Sequence, residues 1–342
     1  MSVADTNYPQ IAIVVPYFGK LPNYFPLWLR SCSINPSFHW YVFTDDTTNY
    51  SYPENVRVTY CSKEDIEVLI QKALGEDICL VRPHKLCDFK VLYGSIFADY
   101  LKNYAYWGYC DVDVVFGDLK RFITSDLLIN YKKIYSLGHL SIIPNTTEIL
   151  MAIKEYSLRS EIKQSVWMNP HTTLFDEWYG KININQLFLQ RGWSIYEDTG
   201  EISDVFVGSS KFLLTRWDSI KKSVKIFADP CLFQWKADRG LIRYEYRNNQ
   251  VIVSESCYVH LKERPFRFLT NNKIDEMVMS PVIGIFPSGI YAFDNEQEIK
   301  PNSFQYYGEG FFRYVRRRGY KRYRNGLYRM KLWMGYFKKS KS

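Results

Sequence analysis

The chain has 342 residues, 46% apolar and 23% charged, an ordinary globular balance that leaves room for one large or two modest domains. Its net charge of +8 misleads as an average, because twelve Lys or Arg and no Asp or Glu fall between Phe311 and Ser342. The body without that tail holds 32 basic against 36 acidic residues, so the basicity is local and terminal. Seven cysteines, an odd number with no C-x-x-C pair, argue against a disulfide framework and against a zinc knuckle. No basic segment followed by an apolar run opens the chain, and no apolar stretch is long enough for a membrane helix, so a reducing cytoplasm is expected.

The apolar run Ile11–Val15, closed by Pro16, predicts a buried strand, as does His39–Thr44, which ends at Asp45-Asp46. A third strand is expected at Val56–Tyr60. Ser62-Lys63-Glu64-Asp65 has the form of a capping box opening a helix to about Leu74. Phe89, Leu92, Tyr93, Ile96, Phe97, Tyr100 and Leu101 recur at threes and fours, which predicts a helix leading into the strand Tyr106–Cys110. Beyond it, strands are expected at Tyr131–Leu137 and His139–Ile143, and helices at Thr146–Tyr156 and Asn185–Gln190. Asn248-Asn249 predicts a hairpin, and Ser256–Leu261 a late strand carrying His260. Strands alternating with helices favour an α/β fold with a mainly parallel sheet. Ligands then bind beyond the carboxyl ends of the strands, where Asp45, Asp46, Asp111 and Asp113 would all lie.

Asp111-Val112-Asp113 ends an aromatic strand and precedes Val114-Val115-Phe116-Gly117. Alternation puts carboxylates two residues apart on one side of a strand, and such hard oxygen ligands suit Mg2+ or Mn2+ shared with a pyrophosphate. A solvated acidic turn is the plain alternative, but apolar neighbours on both sides make ionised carboxylates costly without a partner. His260 could add a neutral imidazole to that metal, and Lys262, Arg264 and Arg267 bring positive charge suited to diphosphate. In Arg82-Pro83-His84-Lys85-Leu86-Cys87-Asp88-Phe89-Lys90, Lys85 and Lys90 could meet phosphate or sugar and Asp88 a hydroxyl, or the stretch could simply begin a helix.

Lys85-Leu86-Cys87-Asp88-Phe89-Lys90, Tyr93-Gly94, Trp107 to Asp113 and Phe116-Gly117 together resemble a family of bacterial surface-polysaccharide glycosyltransferases, as do Gly138-His139-Leu140 with Asn145 and Phe175-Asp176-Glu177. The resemblance runs over roughly 11–261. It implies a GT-A fold, Rossmann-like, and a nucleotide-sugar donor, UDP-linked, held through a metal on the D-x-D carboxylates. Asp113 then resembles the direct metal ligand, Asp111 a ribose or metal contact, and His260 the late histidine of many GT-A enzymes. Pro16-Tyr17-Phe18-Gly19 is similar to the loop that meets the nucleotide, and Asp45 to the acidic residue near the base. The expected catalytic domain spans 8–300, with a nucleotide-sugar half to about 120 and an acceptor half beyond it.

Asp176 and Glu177, between Phe175 and Trp178, are the candidates for the carboxylate base that an inverting transfer needs. The tail, 301–342, interleaves cations with Tyr, Phe and Trp, which suits the headgroup region of an anionic membrane and a lipid-linked glycan acceptor on the cytoplasmic leaflet. Nucleic acid is the weaker reading of that tail, since no recognisable motif accompanies it. Two other functions share these features: a sugar-nucleotide nucleotidyltransferase, and a non-catalytic carbohydrate- or nucleic-acid-binding protein. The first usually needs a Gly-rich basic loop after strand one, and Pro16-Tyr17-Phe18-Gly19-Lys20 has a single glycine.

Overall fold

The computed structural model describes residues 8–75, 77–206, 209, 211–262, 266 and 279–305. Arg264, Arg267 and the basic segment 311–342 lie outside the described residues.

Ile11–Tyr17 (β1) pairs in parallel with Phe38–Thr44 (β2), and β2 in turn with Val56–Tyr60 (β3). On its other edge β1 pairs in parallel with Tyr106–Cys110 (β4), after which Val114–Phe116 (β5) leaves for a second sheet. Beyond β4 the direction reverses. Lys133–Ile134 (β6) and Leu140–Pro144 (β7) are antiparallel to one another, β7 is antiparallel to β4, and Ile195–Tyr196 (β8) closes the edge parallel to β6. The resulting order is β3-β2-β1-β4-β7-β6-β8. The switch between β1 and β4 opens a crevice at their carboxyl ends.

Among the described residues the second sheet has nine strands. Ile202–Val205 (β9), Phe212–Asp218 (β10), Ser223–Lys236 (β11), Gly240–Arg247 (β12) and Gln250–Glu255 (β13) follow one another in antiparallel pairs. Tyr258–His260 (β14) then lies between β9 and β5, while Val282–Phe286 (β15) and Gly289–Phe293 (β16) extend from β11.

The mainly parallel sheet predicted from the sequence is therefore corrected to one mixed sheet and one largely antiparallel sheet. The reason lies in loop length. A parallel connection needs a crossover of about a dozen residues or more, and the links after β6, β10, β11 and β12 are far too short. Asn248 and Asn249 form the expected two-residue turn, both with positive φ (50° and 60°), as a type I′ hairpin requires.

The capping box closes as predicted: Ser62 accepts from Asp65 N, Asp65 returns the bond to Ser62 N, and Gly75 ends the helix Lys63–Leu74 in the left-handed region. Thr146 caps Thr147–Ser157 by accepting from Ile149 N. The helix expected over 89–101 is different. Its apolar stripe is buried except at Tyr100, but the backbone alternates between short α and 3-10 turns, and Phe97 leaves helical geometry at φ −108°, ψ 27°. Gly94 within it presses against the Trp107 ring, where a Cβ would come within 2.5 Å. Apolar periodicity reports the buried face and says nothing of this close approach.

Phe25–Ser33 packs between the layers, giving Phe25, Trp28 and Leu29 to the core under the seven-stranded sheet and Leu27 to the core of the second. The opposite face of the first sheet is covered by the 86–101 stretch together with Ile149, Ile153, Ile184 and Phe188. Among the described residues no helix is long and apolar enough to cross a membrane, and all seven cysteines are free.

Lys85 and Asp88, expected at the donor, are instead wholly buried in this layer. Lys85 Nζ donates to Asp88 Oδ2 at 2.6 Å, Val166 O at 2.7 Å and His171 O at 3.0 Å. Asp88 also accepts from Thr173 N and Phe175 N at 2.9 and 3.0 Å. The pair pins the segment 166–175 to the core and leaves no polar atom for a ligand. Asp88→Ala would strand a buried ammonium and free two amides, so chemical denaturation should register a loss of about 3–5 kcal/mol. An undiminished midpoint would return both residues to the list of ligand contacts.

Candidate functional site

Asp111-Val112-Asp113 is where the chain passes from one sheet to the other. Asp111 follows the last residue of β4, with its N–H donating to His139 O, and Val112 is a buried anchor. Asp113 precedes β5, which pairs antiparallel with β14 in the register Val114↔His260, and Leu261 N donates to Asp113 O at 2.8 Å. On its other side β14 runs parallel to β9 in the register His260↔Asp204. Three short neighbouring strands thus set His260 between two carboxylates, Asp204 at matched register on the same face and Asp113 one residue before its partner Val114.

His260 Nε2 lies 3.4 Å from Asp113 Oδ1, and its Nδ1 lies 2.9 Å from Asp204 Oδ1. Burial alone would lower its pKa, but Asp113 and Asp204 outweigh that and raise it to about 10. Asp204 is buried too, yet His139, His260 and Lys262 hold its carboxyl well below the usual range. Lys262 Nζ donates to Asp204 Oδ2 at 2.7 Å and Thr215 Oγ1 to the same oxygen. Lys262, expected at the diphosphate, therefore supports the carboxylate behind His260.

Asp111, Asp113 and His260 offer ligand atoms within 4.8 Å of one another, with Asp111 on the solvent side and the other two buried. Two carboxylates and one imidazole suit Mn2+ or Mg2+. The imidazole would ligate through Nε2, with Asp204 on its other nitrogen fixing ring and tautomer, as metal-bound histidines require. The residues fit the group.

A second cluster adjoins this one. Lys90 Nζ, buried, donates to Asp111 Oδ1 at 2.6 Å and Gly138 O at 3.1 Å, and lies 3.3 Å from Asp176 Oδ2. Gly138 N donates in turn to Glu177 Oε1 at 3.2 Å. Only glycine fits there, since a Cβ would come within 2.3 Å of Asp176 Oδ2. Burial raises Asp176 to about 6 in spite of Lys90, and burial with the charge of Asp176 raises Glu177 to about 8. Asp176 is closed in, whereas Glu177 remains partly accessible. The two expected bases are thus joined to the expected metal ligands through one ammonium.

The loop after β1 is placed by acids from the end of β2. Asp45 Oδ1 accepts from Gly19 N at 2.7 Å, and Asp46 accepts from Leu21 N, Lys20 Nζ and Thr48. Tyr17 donates its hydroxyl to Lys20 O, Pro16 is half-buried and Phe18 is buried beneath. Asp45 is exposed at the crevice and has a structural task besides the nucleotide contact expected of it.

Sequence reasoning missed Asp204, and it met His139 only within a resemblance. Their signal was faint: one acid inside the strand Ile202-Ser203-Asp204-Val205, and one histidine before an apolar strand. Asp204 and His139 become visible as site residues only through strand pairing.

Beneath the site, Lys133 donates from full burial to Tyr135 O at 2.8 Å and Asn185 Oδ1 at 3.0 Å. Burial pulls its pKa down to about 7 against the opposing pull of Asp176, Glu177 and Glu197. A lysine that loses its proton near pH 7 when folded but near 10 when unfolded leaves the unfolded chain with more bound protons in between. Stability should therefore rise through that window with a slope of up to ~1.4 kcal/mol per pH unit, one proton's worth. Lys133→Met should remove that part of the slope in denaturation measured from pH 7 to 10, and identical slopes would contradict the assignment.

No curated protein matches the chain. A family model described as a family of unknown function, DUF6625, matches residues 13–292, which takes in both sheets and every residue of the clusters above. The chain belongs to that family.

Proposed function

We propose that the protein is a metal-dependent glycosyltransferase with a GT-A-like arrangement, moving a sugar from a nucleotide-sugar, UDP-linked, to a glycan acceptor. The observation that carries this reading is the meeting of Asp111, Asp113 and His260 Nε2 at the carboxyl end of β4, beside the β1/β4 switch. Parallel strands 3-2-1-4 with acids at the crevice are where α/β sheets take nucleotides. A Mn2+ or Mg2+ ion held there would supply Lewis-acid stabilisation of a departing diphosphate.

The protein's own groups divide the remaining work. Lys90 Nζ, bonded to Asp111 Oδ1, holds that carboxylate in place. The loop Pro16–Lys20, shaped by Asp45 and Asp46, forms the opposite wall of the crevice. Glu177, partly accessible and held by Gly138 N, is better placed than the enclosed Asp176 to take a proton from an acceptor hydroxyl. The composition of 311–342 supports docking on an anionic cytoplasmic leaflet and thus a lipid-linked acceptor in surface-polysaccharide synthesis.

Thermal melts against UDP, GDP, CDP and UDP-sugars, each with and without Mn2+, test the reading directly. A nucleotide at a hundred times its dissociation constant adds about 2.7 kcal/mol, a shift of several degrees for a chain of this size. The expected result is a Mn2+-dependent shift with one nucleotide that Asp113→Ala abolishes. Glu177→Gln should keep the shift and lower transfer by about 10²–10⁴-fold. A shift that ignores both Mn2+ and Asp113 would leave only a binding module.

A further inference from the structure

His260 faces two ligand sets. Its Nε2 looks toward Asp113 and its Nδ1 toward Asp204. His139 lies against the ring of His260, with 3.7 Å between centroids and 34° between the planes. His139, Asp204 and His260 bring ligand atoms within 4.8 Å of one another, and all three are buried. We propose that these three residues form a second site, for a borderline transition ion such as Zn2+, and that filling it withdraws His260 from Asp111 and Asp113.

Four observations support this. The set is two imidazoles and one carboxylate, donors that favour Zn2+, whereas Asp111 and Asp113 are hard oxygens that favour Mn2+ or Mg2+. His139 Nδ1 is buried without a hydrogen-bond partner, which is rare for a native ring nitrogen and apt for a ligand. Asp204 is already steadied from behind by Lys262 and Thr215, the outer support that ligating carboxylates carry. Finally, Tyr258 packs edge-on against His139 and shields the set from water. Tetrahedral ligands at Zn–N distances of about 2.0 Å stand roughly 3.3 Å apart, so small side-chain rotations close the site.

The antagonism follows from imidazole chemistry. A neutral imidazole has one nitrogen with a free lone pair, and the other carries hydrogen. If Zn2+ takes Nδ1, the proton shared there with Asp204 leaves to solvent, and Nε2 keeps its hydrogen and donates to Asp113. Nε2 is then lost to the Asp111–Asp113 ion. By linkage, each ion weakens the other by the same factor. The proposal needs metal binding alone and holds whether or not the protein transfers sugar.

The test uses the full-length protein stripped of metal, as wild type and as His139→Phe, which keeps a ring beside His260 and removes both nitrogens; a melt confirms that the variant folds. Co2+ stands in for Zn2+ and reports its ligands by visible absorption. Wild type should show intense bands of a low-coordinate Co2+ site, and His139→Phe should lack them. Absent bands, or equal bands in both proteins, would overturn the proposal. In a second arm, Mn2+ binding is followed by electron paramagnetic resonance while Zn2+ is added. Zn2+ should weaken Mn2+ binding tenfold or more in wild type and scarcely in His139→Phe. Equal weakening in both would mean that Zn2+ only competes at Asp111–Asp113, and that also overturns it. Should wild type bind no Mn2+, the glycosyltransferase reading fails and the Co2+ arm still decides this one.

Discussion

Everything at the site depends on one constraint: within three residues the chain must leave one sheet and enter another. β4 stops at Cys110 because Asp111 turns out toward the crevice, and β5 starts at Val114 because β14 is waiting to pair with it. Between them Val112 is buried and the two aspartates are not free to drift. The same pairing that ends the crossing delivers His260, and β9 behind it delivers Asp204. Geometry at Asp111, Asp113 and His260 is therefore fixed by backbone hydrogen bonds of two sheets, a rigid support for a site.

The surrounding backbone carries strain that matches this rigidity. Six non-glycine residues have positive φ among the described residues: Lys222, Asn248 and Asn249 belong to tight turns away from the site, whereas Tyr135 opens the β6–β7 link and Leu174 and Lys262 lie outside hairpins. Each of these three stands next to the chemistry. Tyr135 (φ 62°) opens the loop that carries Gly138 and His139, Leu174 (φ 59°) precedes Asp176 by two residues, and Lys262 (φ 53°) follows His260 by two. Such conformations cost about 1–3 kcal/mol each and persist only where neighbours over-determine them. The neighbours are identifiable. Ser141 Oγ donates to Tyr135 O and Leu137 O, Lys133 and Asn185 grip the same loop, and Lys262 is drawn over by Asp204.

How much of this could be read from sequence differs by interaction range. Ser62 with Asp65, Thr146, and the Asn248-Asn249 turn act on residues two to four positions away, and their elements stand within a residue or two of where the sequence puts them. Asp111, Asp113 and His260 were legible as types: carboxylates among apolar neighbours, and a lone histidine at a strand end. What no local pattern held was register. That Lys90 meets Asp176, that Lys85 and Asp88 face inward rather than toward a ligand, and that Asp204 stands behind His260 are contacts spanning 86, 3 and 56 positions, decided by burial and strand pairing. Even for the short-range pair Lys85–Asp88 the sequence leaves two readings open, because spacing alone does not tell which side of a turn is buried.

Charge links the two clusters. Five carboxyl groups, those of Asp111, Asp113, Asp176, Glu177 and Asp204, share this region with four basic groups, Lys90, His139, His260 and Lys262. Burial foremost, and beside it the excess of neighbouring negative charge, makes Asp176 and Glu177 hold protons more tightly than isolated acids would. Under the proposed function, a divalent ion at Asp111 and Asp113 would relieve that excess, and its field would draw down the proton affinity of Glu177 at the moment a donor is bound. The acid would then be ionised chiefly when its partner substrate is present. Lys90 would lie on the path of such coupling, since its one ammonium meets both Asp111 and Asp176.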